Sequence, residues 1–528
     1  MGLFCDPGNG DFREIRKSEY VDKSELIALV NRTLSTKYRL TCLSRPRRFG
    51  KSYAASMLAA YYDRSCDSAE LFDDLKIAGR EGYQEHRNEY HVMFLDIAVL
   101  QGEAENHHEK LVTWIENRLM TELREMYPEL AREAKTVQDV LKKVVERDGD
   151  QFIAIIDEWD APIRNGEATS KSQKDYLEFL RGFFKNVQIT RKAFAGAYMT
   201  GILPIKKDGS QSAISEFVEY SILRPQDFAR TIGFTEEEVR EICERSGMDF
   251  GQMKAWYDGY RCGPVHSIYN ANSVMLAVWN RKFDSYWRQT AAVTVLEQYI
   301  NLDFDGLGQA VEDLLAGLEI PVETEDFQND LTSFASADDV LTLLIHFGYL
   351  SYNEDTGTVR IPNYELREEF GGMIRKVTHQ ETIARVRECD QILEDTVAKR
   401  AEKVAERIQK IHQEESAILF YNSEQALRAV IKLAYFTYRD HYIRMEELPS
   451  GQGYADIVFL PKRFDPYPAL VVELKYNDTA EGAIAQIKAR EYPAVLKGYG
   501  AKILLVGISY DKEDVGKAHR CVIEEAFV

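Results

Sequence analysis

The loop between Leu43 and Lys51 narrows the possible folds of this chain further than any other segment. Leu40-Thr41-Cys42-Leu43 is an apolar run of strand length, and Lys51–Asp63 has helical spacing. Between them runs Ser44-Arg45-Pro46-Arg47-Arg48-Phe49-Gly50, and the helix opens with Lys51-Ser52. A strand, a loop ending Gly-Lys-Ser and a helix make the setting in which backbone N–H groups at a helix start cradle an anion. Gly50 lets the backbone come close to phosphates. Lys51 would neutralise charge on the β- and γ-phosphates, and Ser52 would hold Mg²⁺. Arg47, Arg48 and Phe49 are assigned to the same nucleotide site. Arg45 stands where the usual pattern has glycine, and Gly-Lys-Ser alone is a common tripeptide. The loop therefore needs support from elsewhere in the chain.

That support comes from the apolar runs near 39–44, 92–98, 152–157 and 194–202, with helical stretches such as Lys51–Asp63 and Asn106–Met126 between them. Strands alternating with helices predict a parallel sheet covered on both faces. Phe152-Ile153-Ala154-Ile155-Ile156 ends in Asp157-Glu158. Acids at the C-terminal end of such a strand sit in the ligand crevice. Asp157 would complete the Mg²⁺ shell, and Glu158 would polarise the attacking water. Thr200, closing the run Ala195–Thr200, would sense the γ-phosphate. The plainer alternatives are a helix cap for the two acids and an ordinary strand end for Thr200.

The chain has 528 residues, which implies two to four domains. The division expected is 1–223 for the nucleotide domain, 224–365 for a helical middle region, 366–412 for a connecting helix and 413–528 for the last domain. Thr235 with Glu238 three residues on predicts a capped helix start. Residues 348–353 and 357–361 read as a hairpin after helices, which suits a winged-helix-like module. Leu393, Val397, Ala401, Val404 and Ile408 form one helical stripe. Such a stripe belongs to a surface helix joining domains or to a partner-binding coiled coil.

Composition adds exclusions. The formal net charge of −20 makes the surface as a whole repel nucleic acid, so contact with DNA or RNA must use a local groove. Seven scattered cysteines without a CxxC pair argue against a disulfide framework or a zinc module, and fit a reducing cytoplasm. Met1–Asp6 lacks a signal pattern, and no apolar run approaches the roughly 20 residues of a membrane span.

The second chemical centre is predicted near the C-terminus, in an order of helix (Ser423–Tyr438), strands (442–447, 453–460, 468–475), helix (Thr479–Leu496) and strand (501–508). Asp456 and Glu473 fall on adjacent strands, and Glu473 and Lys475 share one strand face. Two carboxylates on neighbouring strands suit a hard divalent cation, Mg²⁺ or Mn²⁺. The metal would activate water and stabilise a phosphorane-like transition state. Lys475 would orient or deprotonate that water. Glu424 is a further candidate metal ligand, or a helix-start acid placed by the macrodipole. Gln486 would contact phosphate or hold the active-site acid. The alternative for the whole set is an inter-strand salt bridge.

Taken together, the chain resembles bacterial and archaeal proteins with an AAA-ATPase-like N-terminal domain and a C-terminal PD-(D/E)XK nuclease-superfamily domain. The resemblance is carried by Tyr20-Val21-Asp22-Lys23-Ser24, Arg45–Ser52, Ile156-Asp157-Glu158-Trp159-Asp160, Trp256-Tyr257-Asp258-Gly259-Tyr260-Arg261, Ile268-Tyr269-Asn270 and Val472-Glu473-Leu474-Lys475. The arginine-rich loop is also similar to STAND-class ATPases, which act as nucleotide switches. The resemblance implies Asp456, Glu473 and Lys475 as nuclease residues. Related nucleases carry Gln-x-x-x-Tyr next, whereas here Arg490 occupies the Tyr position after Gln486, and Tyr492 is the nearest tyrosine. For Trp256–Arg261 the readings are a turn at Asp258-Gly259 packed by aromatics, or Arg261 reaching the nucleotide phosphates.

The fold class expected is α/β multidomain: a P-loop NTPase parallel sheet, a mostly helical middle and a restriction-endonuclease-like α/β domain. The expected function is ATP binding and hydrolysis controlling a Mg²⁺-dependent nuclease. The expected partner is nucleic acid, DNA ahead of RNA, with no membrane and with room for a homo-oligomer. The rivals are a nucleotide-dependent switch or scaffold whose nuclease fold holds a partner without cutting, and a slow signalling ATPase.

Overall fold

A computed structural model describes residues 2–132, 134–164, 170–185, 187–205, 207–208, 211–212, 214–287, 306–325, 327, 334, 336–374, 380–415, 431, 434–435, 442–450, 453–461, 467–489, 502–511 and 518–526. The chain divides into two compact units. One comprises Met1–Arg288 with Pro321–Glu365, the other Gln289–Ile320 with Leu366–Val528.

The first unit is built on a five-stranded sheet of β1 (Leu40–Ser44), β2 (His91–Asp96), β3 (Phe152–Asp157), β4 (Phe194–Gly201) and β5 (Val218–Tyr220), in the order β2-β3-β4-β1-β5. Every pairing is parallel. Strands β1, β3 and β4 are buried at every position, as a sheet covered on both faces requires. Helix α1 (Lys51–Tyr62) follows the β1 loop. Two features differ from expectation. The helix expected over Asn106–Met126 starts at Leu111, and a separate helix, Ile97–Asn106, precedes it, with His108 in a left-handed conformation between them. The edge strand β5 was not expected, because its three residues are only partly buried and carry no long apolar run.

The rest of the first unit mixes helices with a small sheet. Strands β6 (Phe234–Thr235), β7 (Tyr260–Cys262) and β8 (Val265–Tyr269) pair antiparallel in the order β6-β8-β7. Thr235 and Glu238 form the reciprocal capping box at the start of Glu236–Ser246. Helix Ala337–Phe347 precedes a hairpin in which Ser351–Asn353 pairs with Thr358–Arg360. The aromatic block is structural. Gly259 sits at φ +105, and a Cβ there would lie 2.0 Å from the Pro362 carbonyl oxygen. Arg261 donates to Asn353 Oδ1 at 2.7 Å and lies 3.8 Å from Asp355. It is therefore spent on the hairpin, and the expectation that it reaches nucleotide phosphates is corrected.

The second unit carries another five-stranded sheet: β9 (Tyr442–Ser450), β10 (Gly453–Pro461), β11 (Ala469–Tyr476), β12 (Ile503–Tyr510) and β13 (His519–Ala526), in sequence order. Only β11 with β12 is parallel. The parallel pair needs a crossover, which includes helix α2 (Ala480–Ala489). Strand β13 extends the sheet beyond the expected order. The helix expected at Ser423–Tyr438 lies, apart from Ile431, Ala434 and Tyr435, outside the described residues, as does Glu424. The stripe from Leu393 to Ile408 runs over two helices, Gln380–Val397 and Ala401–Glu415, separated by Lys399 at φ 58. Leu393, Val404 and Ile408 are buried, so the stripe serves the core of this unit rather than an open connector.

Candidate nucleotide and metal sites

The loop after β1 borders a cavity of about 440 Å³ lined by Arg47, Arg48, Phe49, Gly50, Lys51, Ser52 and Glu158. Gly50 takes φ +98 at the N-cap of α1, a conformation in which glycine costs least. No side chain caps the first turn, so its N–H groups face the loop opening. Lys51 is buried, and its Nζ donates to the Arg45 and Pro46 carbonyl oxygens at 3.0 and 2.8 Å. Burial pulls its ammonium down to about 8, against the opposing pull of Asp157 and Glu158. An incoming phosphate would relieve that cost with a negative partner.

Arg45 has a different task from its neighbours. Its guanidinium is fully buried and donates to the carbonyl oxygens of Ser44 and Tyr220 at 2.9 Å each and of Phe228 at 3.0 Å. It thus braces edge strand β5 and the turn after it from behind the loop. Arg48, at φ 66, donates to the Tyr286 carbonyl and lines the cavity. Arg47 also lines it, its pKa lowered by burial and by Arg164. Phe49 is buried edge-on against Tyr260.

Strand β3 delivers Asp157 and Glu158 opposite the loop. Asp157 is buried beside Ser52 and Lys51. Burial raises its carboxyl to about 6, although the Ser52 hydrogen bond and Lys51 pull it down. Glu158 adopts φ 48 and accepts from Arg164 Nη2 at 2.8 Å. Thr200 is buried at the end of β4 beside Tyr198, and its carbonyl accepts the Trp159 N–H at 3.1 Å. Neither Thr200 nor Asp157 lines the cavity, unlike the candidates on the loop and Glu158.

The sequence reading missed the far wall of the cavity: Tyr20, Val21, Met57, Ile232, Phe234 and Met275. Tyr20 and Val21 had stood out only as part of a family signature. Asn270, another signature residue, caps the following helix through Ser273 N–H at 3.0 Å and donates to the Arg47 carbonyl at 3.4 Å. It therefore holds the loop from the side of the small sheet.

In the second unit, Glu473 is buried on β11 and accepts a hydrogen bond from Gln486 Nε2. Lys475 Nζ donates to Gln486 Oε1. The amide of α2 thus bridges the acid and the ammonium, which share one strand face. The helix can lie so close because residue 507, opposite Glu473, is glycine. A Cβ there would stand 2.3 Å from the Ala480 carbonyl oxygen. Strand pairing sets Ile457 opposite Val472. Asp456 and Glu473 are the next residues in the two directions, so the antiparallel register brings their backbones level. The side chain of Asp456 lies outside the described residues, as do Arg490 and Tyr492. Among the described residues no three His, Cys, Asp or Glu side chains gather as a metal cluster. Hard oxygen donors in ones and twos, completed by phosphate and water, are what Mg²⁺ takes.

Residues 7–210 match the family described as "Predicted AAA-ATPase", and residues 422–520 match the PD-(D/E)XK nuclease superfamily. The chain joins an AAA-ATPase-like domain to a PD-(D/E)XK nuclease-superfamily domain. The P-loop fold of the first implies a nucleotide, and the second implies a divalent metal. A curated relative from Azotobacter chroococcum mcd 1, "Uncharacterized protein in vnfD 5'region", is 24% identical over 373 residues. The match covers 67% of this chain and 65% of the relative, so the chain spans just under two thirds of that protein's length. Solved structures that match include the Aeropyrum pernix ORC2 protein in its ADPNP-ADP complexes, at 12% identity and TM-score 0.30, over 68% of this chain and 96% of that one. Cdc6p from Pyrobaculum aerophilum matches at 10% identity and TM-score 0.28, over 67% and 92%. No helix among the described residues is long and apolar enough to cross a membrane.

Proposed function

We propose that this protein binds and hydrolyses ATP, and that its nucleotide state controls a Mg²⁺- or Mn²⁺-dependent cleavage of nucleic-acid phosphodiesters. The observation that carries the reading is the set of charged groups at the loop: Lys51, Arg47 and Ser52 line the cavity with Glu158, and Asp157 lies buried beside Ser52 and Lys51. The cations meet the phosphates, Ser52 and Asp157 hold the metal, and Glu158 takes the proton of the attacking water. Thr200, buried behind these groups, acts through β4 rather than by touching the γ-phosphate. The apolar far wall suits a nucleobase. In the second unit, Asp456 and Glu473 are the metal ligands, and the metal supplies an activated water when bound. Lys475 offsets charge on the phosphate, and Gln486 keeps the acid and the ammonium in register. The domain division retained for this reading is 1–223, 224–365, 366–412 and 413–528. DNA is the preferred substrate, and self-association is compatible with the reading.

The net charge of −20 favours the scaffold reading, in which the second domain holds a partner without cutting. One panel separates the two. Single- and double-stranded DNA and RNA are incubated with the full chain, with and without ATP, in Mg²⁺ or Mn²⁺. Cleavage that depends on metal and changes with ATP supports the proposal. Metal binding without cleavage of any substrate hands the reading to the scaffold.

A further inference from the structure

Glu158 is partly exposed, with its side chain at 37% accessibility, and a glutamate so placed has rotamer freedom to lose. The contacts behind it remove that freedom. Arg164 closes the short helix Ala161–Arg164, and its side chain is nearly buried at 10%. Nη2 donates to Glu158 Oε2 at 2.8 Å, while Nε donates to Asp160 Oδ2 at 2.9 Å. Asp160 is completely buried, and the same Oδ2 accepts the backbone N–H groups of Ile202 and Leu203 at 3.2 and 2.9 Å. Those residues directly follow Thr200-Gly201 at the end of β4. The backbone is pinned as well. Trp159 N–H reaches the Thr200 carbonyl at 3.1 Å, and Tyr176 Oη reaches the Trp159 carbonyl at 2.8 Å. Residue 201 is a glycine that a side chain would drive into Trp159 and Asp160.

Arg164 does not border the cavity, whereas Glu158 does. One carboxylate oxygen is therefore tied to the arginine while the group as a whole faces the nucleotide site. The guanidinium is held in its charged form by Asp160 and Glu158, which outweigh its burial. A planar fork points one donor at each carboxylate in fixed directions, whereas an ammonium on a flexible stem fixes neither.

The geometry points to Arg164 as a positioning residue for ATP hydrolysis: it fixes the orientation of Glu158 and registers that orientation to the end of β4 through Asp160. This rests on the reading of Glu158 as the group that takes the water's proton. The charge is not the point, but the fork is. In Arg164→Lys the ammonium goes to the buried Asp160, which keeps the fold, and Glu158 is released.

The test measures kcat, KM and nucleotide affinity in the full chain with Mg²⁺–ATP, for wild type, Arg164→Lys, Arg164→Gln, Glu158→Gln and the double variant Glu158→Gln/Arg164→Lys. Arg164→Lys lowers kcat about tenfold, the scale of one mispositioned catalytic contact, with affinity for a fluorescent ATP analogue unchanged. In the Glu158→Gln background the lysine substitution has no further effect, because the group it positions is already gone. An unchanged or raised kcat in Arg164→Lys overturns the inference. So does an equal loss with and without Glu158. If Glu158→Gln turns over like wild type, the base assignment itself fails, whatever Arg164 does. Should both Arg164 variants fail to fold, a crystal structure of the wild-type chain with Mg²⁺ and a non-hydrolysable ATP analogue decides. An intact Arg164–Glu158 pair supports the inference, and a broken one overturns it.

Discussion

The two candidate centres bury a carboxylate each and treat it differently. Asp157 lies buried beside Lys51 and Ser52, which line a cavity that also presents Arg47. Glu473 lies on a sheet face against the amide of Gln486, which passes the contact on to Lys475. The first arrangement gathers cations around open space, and it suits a ligand with several negative charges. The second spaces one acid and one cation with a neutral group, and it suits a small metal ion and a single phosphodiester. The contrast shows that burial of an acid does not define a site; the charge and reach of what surrounds it do.

The sharpest break in this comparison comes from the second centre. Glu473→Ala and Asp456→Ala each abolish divalent-metal binding and nucleic-acid cleavage while ATP turnover continues. Lys475→Ala keeps the metal and loses cleavage, because an ammonium is no ligand. Calorimetric titration of Mn²⁺ into the full chain, beside a cleavage assay, reads both. Equal metal uptake by Asp456→Ala and wild type would remove the carboxylate pair from the proposal. Next in size, Lys51→Ala weakens ATP binding at least about a hundredfold, the worth of a charge-assisted contact in a buried site, and leaves metal uptake at Glu473 intact. Wild-type affinity for labelled ATP in a folded variant would sink the loop assignment.

Two smaller effects sharpen the contrast without touching either centre. Arg45→Ala leaves the carbonyl oxygens of Tyr220 and Phe228 without their buried donor and lowers stability by about 3 kcal/mol. Denaturant unfolding measures it, and a loss no larger than that of a surface arginine would show the brace to be idle. An effect of similar size is a pH slope that the second unit contributes. His412 Nδ1 and His519 Nε2 are 2.8 Å apart in a buried cluster with Tyr510. Burial, and then His412, lower His519 from 6.5 to about 3. A depressed folded pKa contributes stability that is whole above pH 6.5 and is lost as pH falls toward 3. Melting followed from pH 7 to pH 4 therefore drops, and His519→Phe flattens the drop. An unchanged slope in that variant would assign it elsewhere.

Much of the first unit was legible because its strands are apolar at every position and its loop is contiguous. β1, β3 and β4 announce themselves by burial on both faces. β5 does not, being short and half-exposed. The meaning of Arg45 was hidden for another reason. The carbonyls it serves belong to Tyr220 and Phe228, far along the chain, and no local pattern marks a carbonyl as a partner. Arg164 was silent for the same reason, since its role depends on Asp160 meeting the backbone after Gly201. In the second unit, the two-residue offset of Glu473 and Lys475 was readable as one strand face. Gln486 could be named as a candidate, but its bridging of both groups depends on how closely the helix approaches the sheet. The single long helix expected after Leu366 failed at Lys399, whose left-handed backbone nothing in the stripe of apolar residues foretells.

Gly507 carries a consequence for how this chain can change over time. It is no ligand and no proton carrier, and it touches neither ATP nor nucleic acid in the proposed chemistry. Yet any side chain there collides with the backbone of the helix that presents Gln486. A backbone cannot rotate out of the way as a side chain can, so the helix must lift and take the amide with it. Drift at this one position would silence the proposed metal centre while leaving every acid and lysine of that centre in place, and a descendant so altered would still look intact to anyone counting the residues proposed for it.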